Sequence, residues 1–273
     1  MARVFNWAAQ DCERLITVAG LRASKGRQAA FAQVTADTEA EARAAEAAGI
    51  EMVVCRARNV PEVRRGSAKV FVTAALGFAE AVTDQEILRT AFGALTAGAD
   101  AVITARRLDI VELLAAEDIP VMGHLGFVPR KSTWVGGVRA VGKSAEEAEA
   151  LFHRFRRLED AGAFAVEAEL VPSRLMSEIS NRSGLVTVSL GSGRGAEVIF
   201  LFTSDICGEA TCVPRHARAY GNLAKLAQKM EEERLTALEA FRADVGCGGF
   251  PAESECAAIS PDALEDFLAR IDP

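Results

Sequence analysis

Three histidines, one tyrosine and two tryptophans are few for a chain of 273 residues, and the six cysteines form no C-x-x-C pair. No histidine stands at zinc-ligand spacing from Cys12, Cys55, Cys207, Cys212, Cys247 or Cys256, which excludes a zinc ribbon or finger. A disulfide framework does not suit so large a chain, so the thiols read as small, reduced, apolar residues. Basic charge is also in short supply. The formal net charge is −7, and no Lys/Arg stripe with interleaved aromatics occurs, which excludes nucleic acid as a main partner. No apolar run approaches the roughly 18 residues that span a bilayer. The opening MARVFNWAAQDCERL carries acids where a signal peptide would be apolar, so the expected location is the cytoplasm, away from membranes.

What is present is a large supply of core-forming residues, half the chain being apolar and a quarter charged. Short β-branched runs alternate with alanine-rich amphipathic stretches, the pattern of parallel strands joined by crossover helices. The spacing predicts eight strands, at Ala29–Thr35, Glu51–Cys55, Lys69–Ala74, Ala101–Thr104, Pro120–Gly123, Ala163–Glu169, Leu185–Leu190 and Val198–Phe202. Between them it predicts helices at Glu39–Ala48, Asp84–Ala97, Asp109–Ala116, Ala145–Ala161 and Arg174–Ser183. The phrases EAAGIEMV, LTAGADAVI and EDAGAFAVEAE share one grammar, a helix closed by glycine and followed at once by a buried strand. Such repetition, in a chain near the roughly 250 residues at which an eightfold barrel closes, points to a single (β/α)₈ barrel domain spanning 1–273. A doubly wound open sheet shares the pattern. A long charged helix, about Arg215–Asp244, is expected as a C-terminal helical extension.

In such a barrel the reactive groups lie at the carboxyl ends of the strands. The fifth strand there offers His124, whose alternative role is a hydrogen-bonded structural residue. The sixth offers Glu169, with Glu167 two residues earlier on the same face. A partly desolvated carboxylate at that position suits proton abstraction beside a carbonyl, and its alternative is to cap the following helix. After the seventh strand, SLGSGRG brings Gly191 and Ser192 as an anion cradle or simply a tight turn. Asp205, after the eighth, is a further rim group or a helix N-cap.

PVMGHLG, the glycines of WVGGVRAVGK, ELVP after AGAFAVEA, the SLGSG turn, DICG before a P-R-x-x-R-x-Y segment, and GGFPAE resemble, in matching order, ketopantoate hydroxymethyltransferase. ITVAGLRASKG resembles that family's opening segment. The likeness runs from about Ile16 to Glu253 and is densest after Pro120. It implies a TIM barrel of the phosphoenolpyruvate mutase/isocitrate lyase type assembled as a homo-oligomer. It also implies transfer of a hydroxymethyl group from 5,10-methylenetetrahydrofolate, as co-substrate, to 3-methyl-2-oxobutanoate on the way to pantothenate. The family's proton-transfer glutamate falls on Glu169 and its active-site histidine on His124. The family's magnesium ion polarises the oxoacid carbonyl and is held by acids that here are replaced by Ala57, Ala75 and Ala105, while its substrate-binding lysine is replaced by Ile103. Without those oxygen ligands magnesium has no evident seat, and no metal site is expected. Arg56, Arg58, Arg106 and Arg107 stand beside the alanines. The hypothesis is that one of these four arginines supplies the positive charge in place of the ion; the alternative is that they point at solvent or helices. The resulting expectation is a metal-independent enzyme that makes or breaks a carbon–carbon bond in a small oxoacid through an enolate. A repurposed lyase, decarboxylase or hydrolase, and a catalytically silent binding subunit, are the other readings.

Overall fold

The structure, a computed structural model, describes all residues except 28, 211, 272 and 273. The chain divides into two compact units, Met1–Tyr220 and Gly221–Pro273.

The first unit opens with a hairpin of β1 (Ala2–Phe5) and β2 (Asp11–Arg14), then a short helix α1 (Val18–Arg22). Eight parallel strands follow: β3 (Phe31–Thr35), β4 (Met52–Arg56), β5 (Phe71–Ala75), β6 (Ala101–Thr104), β7 (Val121–Gly126), β8 (Ala165–Glu169), β9 (Val186–Leu190) and β10 (Val198–Leu201). Each pairs with the next and β10 closes on β3, giving a closed barrel. The eight strands predicted from the sequence are these eight. The helices between them are α2 (Glu39–Ala47), α3 (Val60–Gly66), α4 (Asp84–Thr96), α5 (Leu108–Ala115), α6 (Ala145–Asp160), α7 (Ser173–Ser180) and α8 (Thr203–Cys207).

The strands read as nearly unbroken apolar runs because both of their faces are buried. Alternation sends Met52, Val54, Phe71, Ile103, Met122, Val188 and Phe200 into the barrel interior. Val53, Val72, Val102 and Val166 point outward into the layer shared with the helices. Helix starts are set locally: Thr38 with Glu41, and Thr83 with Glu86, form reciprocal capping boxes at α2 and α4, satisfying backbone N–H groups that have no intrahelical partner. The three Ala-Gly phrases end their helices as expected, with Gly49, Gly98 and Gly162 at φ of 78°, 112° and 91° respectively, a region that favours glycine.

At the amino-terminal rim of the barrel, Asp100 accepts from Arg14 and Arg64, both at 2.7 Å. This pins the hairpin and α3 to the barrel end remote from the expected chemistry. Neither the hairpin nor α3 stood out in the sequence. The second unit contains α9 (Leu223–Cys247) and α10 (Pro261–Ile271), neither of which has a buried residue. No helix among the described residues is long and apolar enough to cross a membrane.

Candidate active site

The carboxyl ends of β7 and β8 run close together. His124 is paired in register with Glu167, and Gly126 with Glu169. A side chain at Gly126 would place its Cβ 2.2 Å from the Glu169 carbonyl oxygen, and its φ is 83°, so glycine is required for the two strand ends to approach. Strand alternation then points His124, Glu167 and Glu169 inward. His124 Nε2 lies 3.0 Å from Glu169 Oε2 and 3.8 Å from Glu167 Oε1. Glu167 is only 5% exposed.

Burial by itself depresses the basicity of His124, but the hydrogen bond to Glu169, the charges of Glu167 and Glu169, and the Phe127 backbone together outweigh it, and the net shift is upward. Burial pushes Glu167 up as well; the His124 charge opposes this and the neighbouring Glu169 reinforces it. The result is an imidazole whose protonated form is favoured, set between two carboxyl groups of which Glu167 is biased toward holding its proton, an arrangement suited to proton transfer.

Above this group a cavity of about 460 Å³ opens at the barrel mouth, with His124, Glu167, Arg56, Thr35, Asp37 and Phe202 among its lining residues. Ala75, Ile103 and Ala105 also line it, so two of the three alanines of the sequence comparison face the cavity, while Ala57 is buried in a 3-10 turn at the start of the next segment. Glu169 is not among the lining residues; it lies behind His124, to which it is hydrogen-bonded. Arg56 ends β4 with an exposed side chain.

The other residues singled out in the sequence lie elsewhere. Arg58 forms an exposed ion pair with Glu80. Arg106 turns back onto the segment after β5, donating to the carbonyls of Gly77 (2.9 Å), Phe78 and Ala81 and packing over the Phe78 ring. The Ser192 hydroxyl is fully buried, donating to Ala168 O at 2.8 Å and accepting from Val171 N at 2.9 Å. It therefore staples the β9–β10 turn to the end of β8. Gly191 borders a separate cavity with Arg194, Arg215 and His216. Asp205 is buried in the first turn of α8, outside the mouth lining. Two groups the patterns did not reveal are Gln33 and Thr73, which face inward below the mouth with polar side-chain atoms lacking hydrogen-bond partners among the described residues. Only closure of the barrel brings them inside.

The donor set does not fit the family's magnesium. Ala75 and Ala105 offer no side-chain oxygen to the cavity, and Asp37 Oδ1 is taken up by Arg56 N and Asn59 Nδ2. Among the described residues the one group with metal-ligand character is His124, Glu167 and Glu169, whose ligand atoms lie within 4.8 Å of one another. A nitrogen donor beside two carboxylates suits a zinc-, manganese- or iron-like ion better than magnesium.

Solved structures of similar shape share the closed eight-stranded barrel, and one of them belongs to the phosphoenolpyruvate mutase/isocitrate lyase superfamily. 2,3-Dimethylmalate lyase, a member of that superfamily, aligns with a TM-score of 0.53 at 15% identity, covering 94% of this chain and 98% of its own. Phosphonopyruvate hydrolase aligns with a TM-score of 0.51 at 12% identity, covering 94% and 97%. In sequence, residues 56–253 match the profile described as ketopantoate hydroxymethyltransferase. The 3-methyl-2-oxobutanoate hydroxymethyltransferase of Pyrobaculum islandicum is 32% identical over 199 residues, 71% of this chain and 74% of that protein. That of Thermus thermophilus is 29% identical over 263 residues, 87% and 97%. A Bradyrhizobium diazoefficiens relative of the same name is 33% identical over 69% of this chain, which spans 63% of that relative's length. The chain belongs to the ketopantoate hydroxymethyltransferase family, a family of enzymes.

Proposed function

We propose that this chain acts on a small 2-oxoacid of the 3-methyl-2-oxobutanoate type, forming or breaking a carbon–carbon bond through an enolate without the family's magnesium. The observation that carries this reading is the inward His124–Glu169 pair at 3.0 Å beside a mouth cavity whose rim bears Arg56, with alanines at positions 75 and 105 in place of the family's magnesium-holding acids. Glu169 takes the proton from the carbon next to the carbonyl; the C–H electron pair becomes the new C=C bond and the carbonyl oxygen becomes the enolate oxygen. Hydrogen bonding from His124 and the fixed charge of Arg56 stabilise that oxygen and the substrate carboxylate. The enolate carbon then attacks the methylene carbon of the one-carbon donor, 5,10-methylenetetrahydrofolate if the family reaction is kept; one C–N bond breaks with its electron pair returning to nitrogen, and water replaces the second nitrogen to give the hydroxymethyl product and tetrahydrofolate. Family membership and the relatives' names support this substrate class. Assembly as a homo-oligomer is part of the same proposal, supported by the exposed apolar residues Leu226, Met230, Leu235, Leu238 and Phe241 along α9.

Proton NMR of 3-methyl-2-oxobutanoate in deuterium oxide, with chelator present, tests the reading. Exchange at C3 that Glu169→Gln slows by about 10²–10⁴-fold is the expected result. No exchange by the wild-type chain, or undiminished exchange by the variant, would overturn it. A second reading rests on the His124–Glu167–Glu169 ligand set, which would hold a zinc- or manganese-like ion able to supply Lewis-acid chemistry at the carbonyl; it predicts that the chelator abolishes exchange.

A further inference from the structure

A second cavity, of about 440 Å³, lies on the outer face of β6 and β7 between α5 and α6. Its walls carry five cationic side chains, Arg106, Arg107, Lys131, Arg154 and Arg157, and one carboxylate, Asp109. Asp109 is already paired with Arg107 at 2.6 Å, which also reaches Asp84 at 3.0 Å. Arg106 is occupied by backbone carbonyls. Lys131, Arg154 and Arg157 have no salt-bridge or side-chain hydrogen-bond partner among the described residues, in a chain whose net charge is −7.

This arrangement is unfavourable when nothing fills it. Burial, then the Arg157 charge, holds Arg154 below the ordinary guanidinium range. Burial, then Arg154 and Arg130, lowers Lys131, so the cations repel one another in a partly desolvated cleft. Arg154 and Arg157 sit three residues apart on α6, one helical turn, so that their forks project side by side. Lys131 faces them from the segment after β7. Convergent guanidinium and ammonium donors around a pocket of small-molecule size match the oxygens of a phosphate group, which accepts in several directions and carries close to two negative charges.

We propose that this cleft binds a small phosphate-bearing molecule with at least two negative charges. The cleft shares Thr104, Ala105 and His124 with the lining of the barrel mouth, so its occupant lies one strand's thickness from the reaction centre. The proposal does not depend on the oxoacid reading.

Calorimetric titration with pyrophosphate tests it, with citrate as the polycarboxylate comparator and inorganic phosphate as the minimal probe. The expected result is saturable binding of one pyrophosphate per chain, tighter than citrate, weakened at least tenfold by Arg154→Ala and by Lys131→Ala, and unchanged by Arg56→Ala at the mouth. Removing one of the mutually repelling cations is also expected to raise the melting temperature of the free Arg154→Ala protein while abolishing the rise that pyrophosphate gives the wild type. Lys131, exposed and on a different segment, keeps the test decisive should the α6 variant fold poorly. Binding that survives both substitutions, tighter binding of citrate, or no saturation at millimolar pyrophosphate would overturn the proposal. Titrating the same variants with 3-methyl-2-oxobutanoate separates this failure from a failure at the mouth.

Discussion

Replacing Glu167 by Gln tests the electrostatics of the mouth through stability. The carboxyl is buried and held above its ordinary value of 4.5, chiefly by desolvation. A raised folded-state value means the folded chain binds this proton more tightly than the unfolded chain does. The stability it contributes is therefore fully present below the unfolded value and is lost as pH rises through the folded one. His124, also raised, follows the same rule from its ordinary value of 6.5 upward, and Glu167 is one of the charges that raises it. Both effects have one sign. Glutamine keeps the volume and removes the titration, so the wild type should lose stability relative to Glu167→Gln by up to about 1.4 kcal/mol per pH unit, one proton's worth, across the window where the group ionises. Urea unfolding of both proteins at intervals from pH 5 to 9 measures the difference directly. Because Glu167, His124 and Glu169 titrate together, the transition belongs to the group and not to one residue. A difference that is flat, or that grows in favour of the wild type as pH rises, would refute the reasoning.

Four further outcomes follow from the geometry. Arg56→Ala should raise the KM for the oxoacid about 10–100-fold, the cost of roughly 1.5–3 kcal/mol for a charged hydrogen bond, with a smaller change in kcat, seen in initial rates. Arg58→Ala should change stability by less than about 1 kcal/mol, because its pair with Glu80 is exposed, and calorimetric titration should find oxoacid affinity unaltered. Arg106→Ala should cost about 1–3 kcal/mol in urea unfolding, since the carbonyls of Gly77, Phe78 and Ala81 lose their donor. Ser192→Ala should cost a similar amount by orphaning Val171 N–H and Ala168 C=O, and should also slow turnover by loosening the strand that carries Glu169.

Much of the barrel was legible in the sequence because parallel strands buried on both faces must be apolar along their whole length, as MVVC and AVIT are, and because glycine closes the helices before β4, β6 and β8. The hairpin was not, since Ala2–Phe5 and Asp11–Arg14 alternate too briefly to stand out and are held by the long-range Arg14–Asp100 pair. In the site, His124 and Glu169 could be named because Glu169 ends a buried strand and His124 lies two residues from the end of another. Their pairing depends on β7 lying next to β8, a tertiary fact. The arginines show the limit most clearly: Arg56, Arg58 and Arg106 flank the alanines alike in sequence, yet strand parity and the turn after β4 leave only Arg56 on the mouth. The glycine turn at Gly191 and Ser192 reads as an anion cradle or a tight turn, and the Ser192 N–H is spent on Ser189 Oγ and its hydroxyl on Ala168 O and Val171 N, which no local pattern reveals. The cleft on α6 was invisible for the same reason, its cations coming from three separate segments.

The central claim is that protein side chains, and not magnesium, supply the positive charge at the barrel mouth. Calorimetric titration of metal-stripped protein with 3-methyl-2-oxobutanoate, with and without millimolar magnesium, tests it most directly. The account predicts the same affinity in both titrations and a loss of that affinity in Arg56→Ala; binding that appears only when magnesium is added would contradict it.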